Sequence, residues 1–337
     1  MATTLETLLA ERDWLLADGA TGTNLFAMGL EAGEAPELWN LTAPEKVRAL
    51  YDGAVGAGSD IFLTNSFGGN ASRLRLHDAA DRVGEINRAA AAIARAAADA
   101  AGRPVVVAGS MGPTGEIMAP LGPLTIEAAA DMFEEQARAL LDGGADLLWV
   151  ETISAPDEFR AAEIGIGRTG APWCGTMSFD TAGRTMMGVT AAEMVALVSG
   201  LSHPPLAFGA NCGVGASDLL RTILGFAAAG PGLPLIAKGN AGIPKFVEGH
   251  IHYDGTPELM ADYAVLARDC GATIIGGCCG TTPAHLTAMR AALEDGTRGA
   301  APALAEIATR LGAFSSASDG SPGDGAPAGR ERRRRRG

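Results

Sequence analysis

A closed (β/α)8 barrel, the TIM barrel, is the fold class this sequence predicts, on three observations. Eight short apolar runs recur along the chain, each is followed by an alanine-rich stretch of helical length, and polar or glycine-rich residues gather at the carboxyl end of run after run. Parallel strands covered by helices read as continuous hydrophobic runs rather than alternating ones. Eight such units in about 300 residues suit a barrel, which typically takes roughly 250. A doubly wound open sheet is the alternative. It asks for G-x-G-x-x-G after the first strand, whereas Asp18-Gly-Ala-Thr-Gly-Thr-Asn24 lacks that spacing and no Lys-Ser/Thr follows to make a phosphate loop.

Taken in order, the first strand is Trp14–Ala20, ending in Asp18-Gly19-Ala20, and the second is Ile61–Phe67, ending in Thr64-Asn65-Ser66-Phe67. Val105–Gly109 runs on to Gly112-Pro113-Thr114-Gly115-Glu116, and Leu147–Thr152 closes on Glu151-Thr152. Trp173–Phe179 is the fifth strand, and Leu206–Cys212 the sixth, ending in Asn211-Cys212-Gly213. Leu235–Asn240 leads into Gly239-Asn240-Ala241-Gly242, and Thr273–Cys279 ends within Gly276-Gly277-Cys278-Cys279-Gly280. The helices fall at 44–58, 79–101, 125–142, 156–167, 190–199, 217–229, 256–270 and 283–294, several opened by a proline in the first turn or by a Ser/Thr/Asp cap. In a barrel all eight carboxyl ends meet on one rim, where active sites are built. No linker interrupts 1–314, so one domain is expected there, followed over 315–337 by a disordered Gly/Ser/Pro linker and an Arg-rich tail.

Composition narrows the function. The 46 glycines among 337 residues follow no repeat of three, which excludes collagen and implies many tight turns. No apolar run approaches the roughly 20 residues of a membrane span, and charges interrupt the amino-terminal segment, so neither a span nor a secretory signal is expected. The net charge of −13 coexists with a tail of six arginines against three acids, so the body is more acidic still and repels phosphate backbones. Nucleic acid and membrane are therefore not expected partners, and the tail reads as a solvated segment. Five cysteines, two of them adjacent, suit thiols kept reduced in a cytoplasmic setting better than a disulfide framework.

Three of those cysteines define the chemistry. Cys212 ends the sixth strand and Cys278-Cys279 the eighth, so thiols distant in sequence meet on the rim. Three thiolates with an open fourth position are the ligand set of a catalytic Zn²⁺ site. Adjacent strand residues face opposite ways, so both Cys278 and Cys279 can ligate only where the backbone leaves strand geometry, and Gly276, Gly277 and Gly280 permit that. Cys174 and Cys270 read as small buried hydrophobes. The pair His250 and His252 falls in the loop after the seventh strand and reads as loop or rim structure, and His203 belongs to the opposite rim. A metal carrying three thiolates is a poor activator of water but holds a further substrate thiol as its thiolate, ready to attack a methyl group without a protein base.

The runs Asp18-Gly-Ala-Thr-Gly-Thr23, Gly209-Ala-Asn-Cys-Gly213, Lys238-Gly-Asn-Ala-Gly242 and Gly276-Gly-Cys-Cys-Gly-Thr-Thr-Pro283 closely resemble the homocysteine S-methyltransferase family, which includes betaine-homocysteine methyltransferase and the homocysteine module of cobalamin-dependent methionine synthase. The likeness spans roughly residues 10–295. It implies a (β/α)8 barrel with zinc on Cys212, Cys278 and Cys279. It further implies that Asp18 and Glu151 hold the homocysteine ammonium, with backbone amides around Gly19 and Ala20 near its carboxylate. Asn240 matches a residue that fills the fourth zinc position until the substrate thiolate displaces it, and Asn65 and Ser66 are further rim candidates. An ammonium at an enclosed rim needs carboxylate partners, which agrees.

The reading is a zinc enzyme forming methionine from homocysteine, with betaine as leading methyl donor. The alternatives are transfer from a corrinoid protein in a split methionine synthase, an S-methylmethionine-dependent enzyme, and a non-catalytic zinc- or thiol-binding barrel. A quaternary ammonium prefers aromatic faces. Where the animal betaine enzymes carry an aromatic residue after the second strand, this chain has Asn70, leaving Trp39, Phe67, Trp173 and Phe179 as aromatic candidates, the last two more suited to the core.

Overall fold

The structure is a computed structural model and describes residues 4–243, 245–247 and 250–320. Its sheet is the eight-stranded barrel, parallel throughout, formed in chain order by Leu15–Leu16, Ile61–Leu63, Val106–Met111, Leu147–Ile153, Trp173–Met177, Ala207–Cys212, Leu235–Gly239 and Ala272–Gly277. Each strand pairs with its neighbour in sequence, and the first pairs with the last at Leu15↔Ile274 and Leu16↔Ile275. Between first and second strands the ladder shrinks to one bridge, Ala17↔Ile61. There the Asp18 carboxylate substitutes for main chain, accepting the Leu63 N–H at 2.8 Å.

The eight barrel helices lie where periodicity places them, from Pro44–Gly56 to Pro283–Glu294. Prolines open four of them, at Pro44, Pro156, Pro257 and Pro283, positions whose missing N–H would have no helical partner anyway. Threonine caps Ile126–Asp142, Ala191–Ser199 and Pro257–Asp269, and Thr190 forms a reciprocal box with Glu193.

Alternation along the strands fills the barrel. Ala108, Trp149, Cys174, Ala207 and Ile236 belong to the interior cluster, and Leu5 and Leu8 of the helix Leu5–Glu11 join it. One step of two residues towards the carboxyl ends, the inward positions become Ser110, Glu151, Thr176, Gly209 and Lys238. The interior thus changes from hydrocarbon to polar within a single layer, and the site begins there. His203 lies on the opposite side, where its carbonyl accepts the Trp173 indole N–H and Glu163 accepts its main-chain N–H.

Several features go beyond the sequence expectation. Short helical turns occupy the loops after the first two strands, including Gly22–Ala27, Trp39–Thr42 and Ala71–Leu74. The segment containing His250 and His252 forms a small antiparallel hairpin, Lys245–Val247 with His250–His252. A further helix, Leu304–Leu311, buries Ile307 and Leu311 against the barrel helices. Past it, residues 312–320 form a belt over the helix Ala216–Ala228. Ser217 donates to the Gly312 carbonyl (2.7 Å), Arg221 to Ser316 (2.7 Å), and Asp218 accepts the Ser315 N–H (2.9 Å). The Arg221 guanidinium also lies 4.7 Å above the Phe314 ring. The belt reaches the loop after the fifth strand, where a Cβ on Gly183 would lie 2.3 Å from Asp319. The arginines of the expected tail, residue 330 and 332–336, lie outside the described residues.

Asp218 is buried and binds both Arg221 and the belt, so its removal leaves a buried guanidinium short of a partner, a loss of about 3 kcal/mol. Asp218→Ala should lower the melting temperature and open the chain near Phe314 to chymotrypsin; unchanged protection in limited proteolysis would contradict the anchoring role.

Candidate functional site

The sixth strand ends in a reversal. Cys212 takes a left-handed backbone conformation with φ at +61°, and so does Thr152 at the end of the fourth strand, at +62°. For a residue with a Cβ this costs about 1–2 kcal/mol. The side chain of buried Asn211 offsets it by bracing both turns. Its oxygen accepts the Thr152 N–H (2.8 Å) and the Thr176 hydroxyl (2.7 Å), and its amide donates to the Thr152 hydroxyl (2.7 Å) and towards the Cys278 sulfur (3.8 Å).

The eighth strand stops at Gly277, and Cys278-Cys279 lie in the turn that follows, so neighbouring thiols point to one place. The turn demands glycine on either side of the pair. A Cβ at Gly277 would sit 2.3 Å from the Thr281 side chain, and Gly280 has φ at +79° with Tyr253 packed against it. The three sulfurs of Cys212, Cys278 and Cys279 lie within 4.8 Å of one another, and Cys212 and Cys279 are 4.0 Å apart. A tetrahedral zinc with Zn–S bonds of ~2.3 Å separates its sulfurs by about 3.8 Å, so these thiols fit a metal with little movement. Hydrogen bonds from Cys212 and Cys278, and then from the Tyr253 hydroxyl, draw the Cys279 thiol well below its usual range.

Asn240 couples the two cysteine loops. Its amide donates to the Gly213 carbonyl at 2.9 Å and its oxygen accepts the Cys279 N–H at 3.1 Å. In this arrangement both polar ends of Asn240 brace backbone rather than face the sulfurs.

The expected substrate-binding residues divide. Glu151 follows Trp149 on the inner face and accepts a hydrogen bond from the Ser110 hydroxyl at 2.5 Å. Burial, opposed by Lys238 and reinforced by Cys278, raises its carboxyl to about 7. Asp18 is buried with both oxygens engaged: one accepts the Leu63 N–H, the other the Lys238 ammonium at 2.5 Å. Burial raises its carboxyl, opposed by the Lys238 ammonium and by these hydrogen bonds. Gly19 packs against the Thr281 carbonyl, and the Ala20 N–H donates to that same oxygen at 3.1 Å. The Ala20 amide is therefore committed within the fold. Asn65 and Ser66 are buried braces: the Asn65 N–H donates to the Tyr51 hydroxyl and its amide to the Pro36 carbonyl, while the Ser66 hydroxyl donates to the Ser110 carbonyl. Asn70 caps the turn Ala71–Leu74, accepting the Arg73 N–H. Trp173 and Phe179 are core residues, and Lys46 covers a face of Trp39 at 4.3 Å.

Two residues escape the sequence reading. Lys238 is only 2% exposed, beneath Asp18 and Glu151. The available signal was a lysine inside a strand otherwise read as buried, which demands an acidic partner. Tyr253, against Cys279, follows the hairpin and carries no local signal.

The family profile described as homocysteine S-methyltransferase matches residues 15–293. The chain belongs to the homocysteine S-methyltransferase family. It is 32% identical over 300 residues to the methionine synthase of Mycobacterium tuberculosis (strain ATCC 25618 / H37Rv), a match covering 83% of this chain and 25% of that protein. With the methionine synthase of Mycobacterium leprae (strain TN) it shares 31% over 315 residues, covering 87% and 25%. The chain thus spans about a quarter of the length of these relatives. Among solved structures, the metallated form of the homocysteine methyltransferase MmuM from Escherichia coli superposes with a TM-score of 0.71 at 27% identity, covering 85% of this chain and 99% of that one. Among the described residues, no helix is long and apolar enough to cross a membrane.

Replacing any one of Cys212, Cys278 and Cys279 by alanine should reduce bound metal to a small fraction of one equivalent, as measured by mass spectrometry of the purified protein. Cys174→Ala and Cys270→Ala, whose sulfurs lie outside the cluster, should retain it.

Proposed function

We propose that this chain methylates homocysteine to methionine, with zinc held by Cys212, Cys278 and Cys279. The observation that carries the reading is the convergence of three thiols from two strand ends at the mouth of a barrel of this family. Bound there, zinc supplies an electrophile that keeps a substrate sulfur deprotonated at neutral pH. The residues around it do the rest. Asn211 and Asn240 fix the turns that present the sulfurs. The Glu151 carboxylate, oriented by Ser110, receives the homocysteine ammonium and so aims the substrate sulfur at the cysteines. A methyl donor then enters from the open rim; the sulfur–methyl bond forms as the bond from that methyl to the donor atom breaks, and the demethylated donor, dimethylglycine if the donor is betaine, leaves by the same rim.

Betaine is the proposed donor, on the family resemblance alone, since that family includes betaine-homocysteine methyltransferase; the matched methionine synthases and MmuM keep the other donors as outcomes of the test. The purified, zinc-loaded chain should form methionine from homocysteine and betaine alone. Turnover only with methylcobalamin or a corrinoid protein would replace betaine by the split-synthase reading, and turnover with S-methylmethionine would identify that donor. No product with any of the three would leave a zinc- or thiol-binding barrel. A cytoplasmic setting, which keeps thiols reduced, belongs to the same proposal.

The Glu151 carboxyl also sets a pH dependence. Below about 7 it is protonated and cannot pair with an ammonium; above that it is ionised. Affinity for methionine, which carries the ammonium but has no thiol proton to lose, should rise by about tenfold per pH unit on approaching 7 from below and level off above it. Glu151→Gln should bind weakly and show no such rise in calorimetry between pH 6 and 8.

A further inference from the structure

Lys238 has no role in the proposed transfer, yet it occupies the centre of the site. It stands two residues beyond Ile236, whose side chain lies in the barrel interior, so its own side chain enters the same interior one layer higher. The ammonium lies 2.5 Å from Asp18, 5.6 Å from the centre of the Trp149 ring, and faces Glu151 and Cys278. A buried ammonium is tolerated only when paired. The second oxygen of Asp18 is tied to Leu63 across the thin seam between first and second strands. Each Asp18 oxygen thus already serves one donor, and its charge is paired with Lys238 rather than open to a ligand.

Charge counting gives this arrangement a purpose. Without Lys238 the layer would hold two carboxylates beside a cluster of thiolates, and an amino-acid ligand would bring a third carboxylate and only one ammonium. With Lys238 bound to Asp18, a single carboxylate, Glu151, remains to match a single ligand ammonium. We propose that Lys238 is a positioning residue that permanently occupies Asp18, so that Asp18 acts on the substrate through Lys238 and Glu151 alone contacts the substrate ammonium. The inference rests on the homocysteine reading above and assigns the two carboxylates of that site different tasks.

Chemical rescue tests it, with methionine affinity as the readout and zinc content and melting temperature as controls. Lys238→Ala leaves room for propylammonium, which matches the atoms removed. The variant should keep its zinc and bind methionine about tenfold more weakly, because the bare Asp18 carboxylate repels the ligand carboxylate and diverts its ammonium. Added propylammonium should restore affinity saturably, and the rescue should vanish in the double variant Asp18→Asn/Lys238→Ala. If Lys238→Ala instead binds methionine as tightly as the wild type or more so, with propylammonium competing, Asp18 takes the ligand ammonium itself and the inference is wrong. Should the variant fail to fold, a crystal structure of the wild-type methionine complex decides: the ligand nitrogen belongs against Glu151 with the Asp18–Lys238 pair intact, and a nitrogen on Asp18 in place of Lys238 overturns it. A wild-type protein that binds neither methionine nor homocysteine would defeat the functional reading itself, whereas competition in a protein that binds both defeats only this inference.

Discussion

Sulfur atoms from two separate strands come together here only because the main chain abandons sheet geometry at both ends, and the rest of the site is organised to hold those departures in place. Cys212 takes a backbone conformation that side chains disfavour, and Cys278-Cys279 turn immediately after the last ladder residue. Neither turn is held by its own strand. Asn211 ties the end of the sixth strand to the fourth, and Asn240 ties it to the eighth. Each amide serves more than one strand end at once, so loosening either would release several contacts together. Placing local strain where a ligand must be gripped, with compensation from rigid neighbours, is a common solution at functional sites.

The same economy shapes the layer beneath. Every barrel must fill its interior, and this one does so with hydrocarbon up to Trp149, Cys174 and Ile236 before switching to Ser110, Glu151, Thr176 and Lys238. Because inward positions repeat every two residues, one further step along each strand separates stability from chemistry. Asp18 belongs to both. One oxygen closes the seam where main-chain pairing between the first two strands is thin, and the other holds the lysine that balances the site.

The barrel itself was legible in the chain, since its signals are local: apolar runs, helical spacing, prolines and threonines at helix starts. The cysteine cluster was legible as well, because topology alone brings the ends of the sixth and eighth strands to one rim. What escaped was pairwise and remote. Nothing near Asp18 announces that Lys238, 220 residues away, will take its oxygen, and nothing near Ala20 shows that Thr281 takes its amide. Asn65 and Ser66 stand out in the sequence as polar residues at strand ends and Asn240 through the family resemblance, but neither signal tells a group that faces a ligand from one that satisfies buried backbone. The helix Leu304–Leu311 is hidden for a different reason: it lies beyond the eighth unit, although Leu304, Ile307 and Leu311 follow helical spacing.

The belt of residues 312–320 has a practical corollary. It leads the carboxyl-terminal part of the chain up to the loop after the fifth strand, on the rim that carries the thiols, whereas the helix Leu5–Glu11 sits under the opposite floor. A fluorophore introduced near Ser318 would therefore sense events at the mouth, and an affinity tag or surface tether is better placed ahead of Leu5, where it leaves the entrance unobstructed.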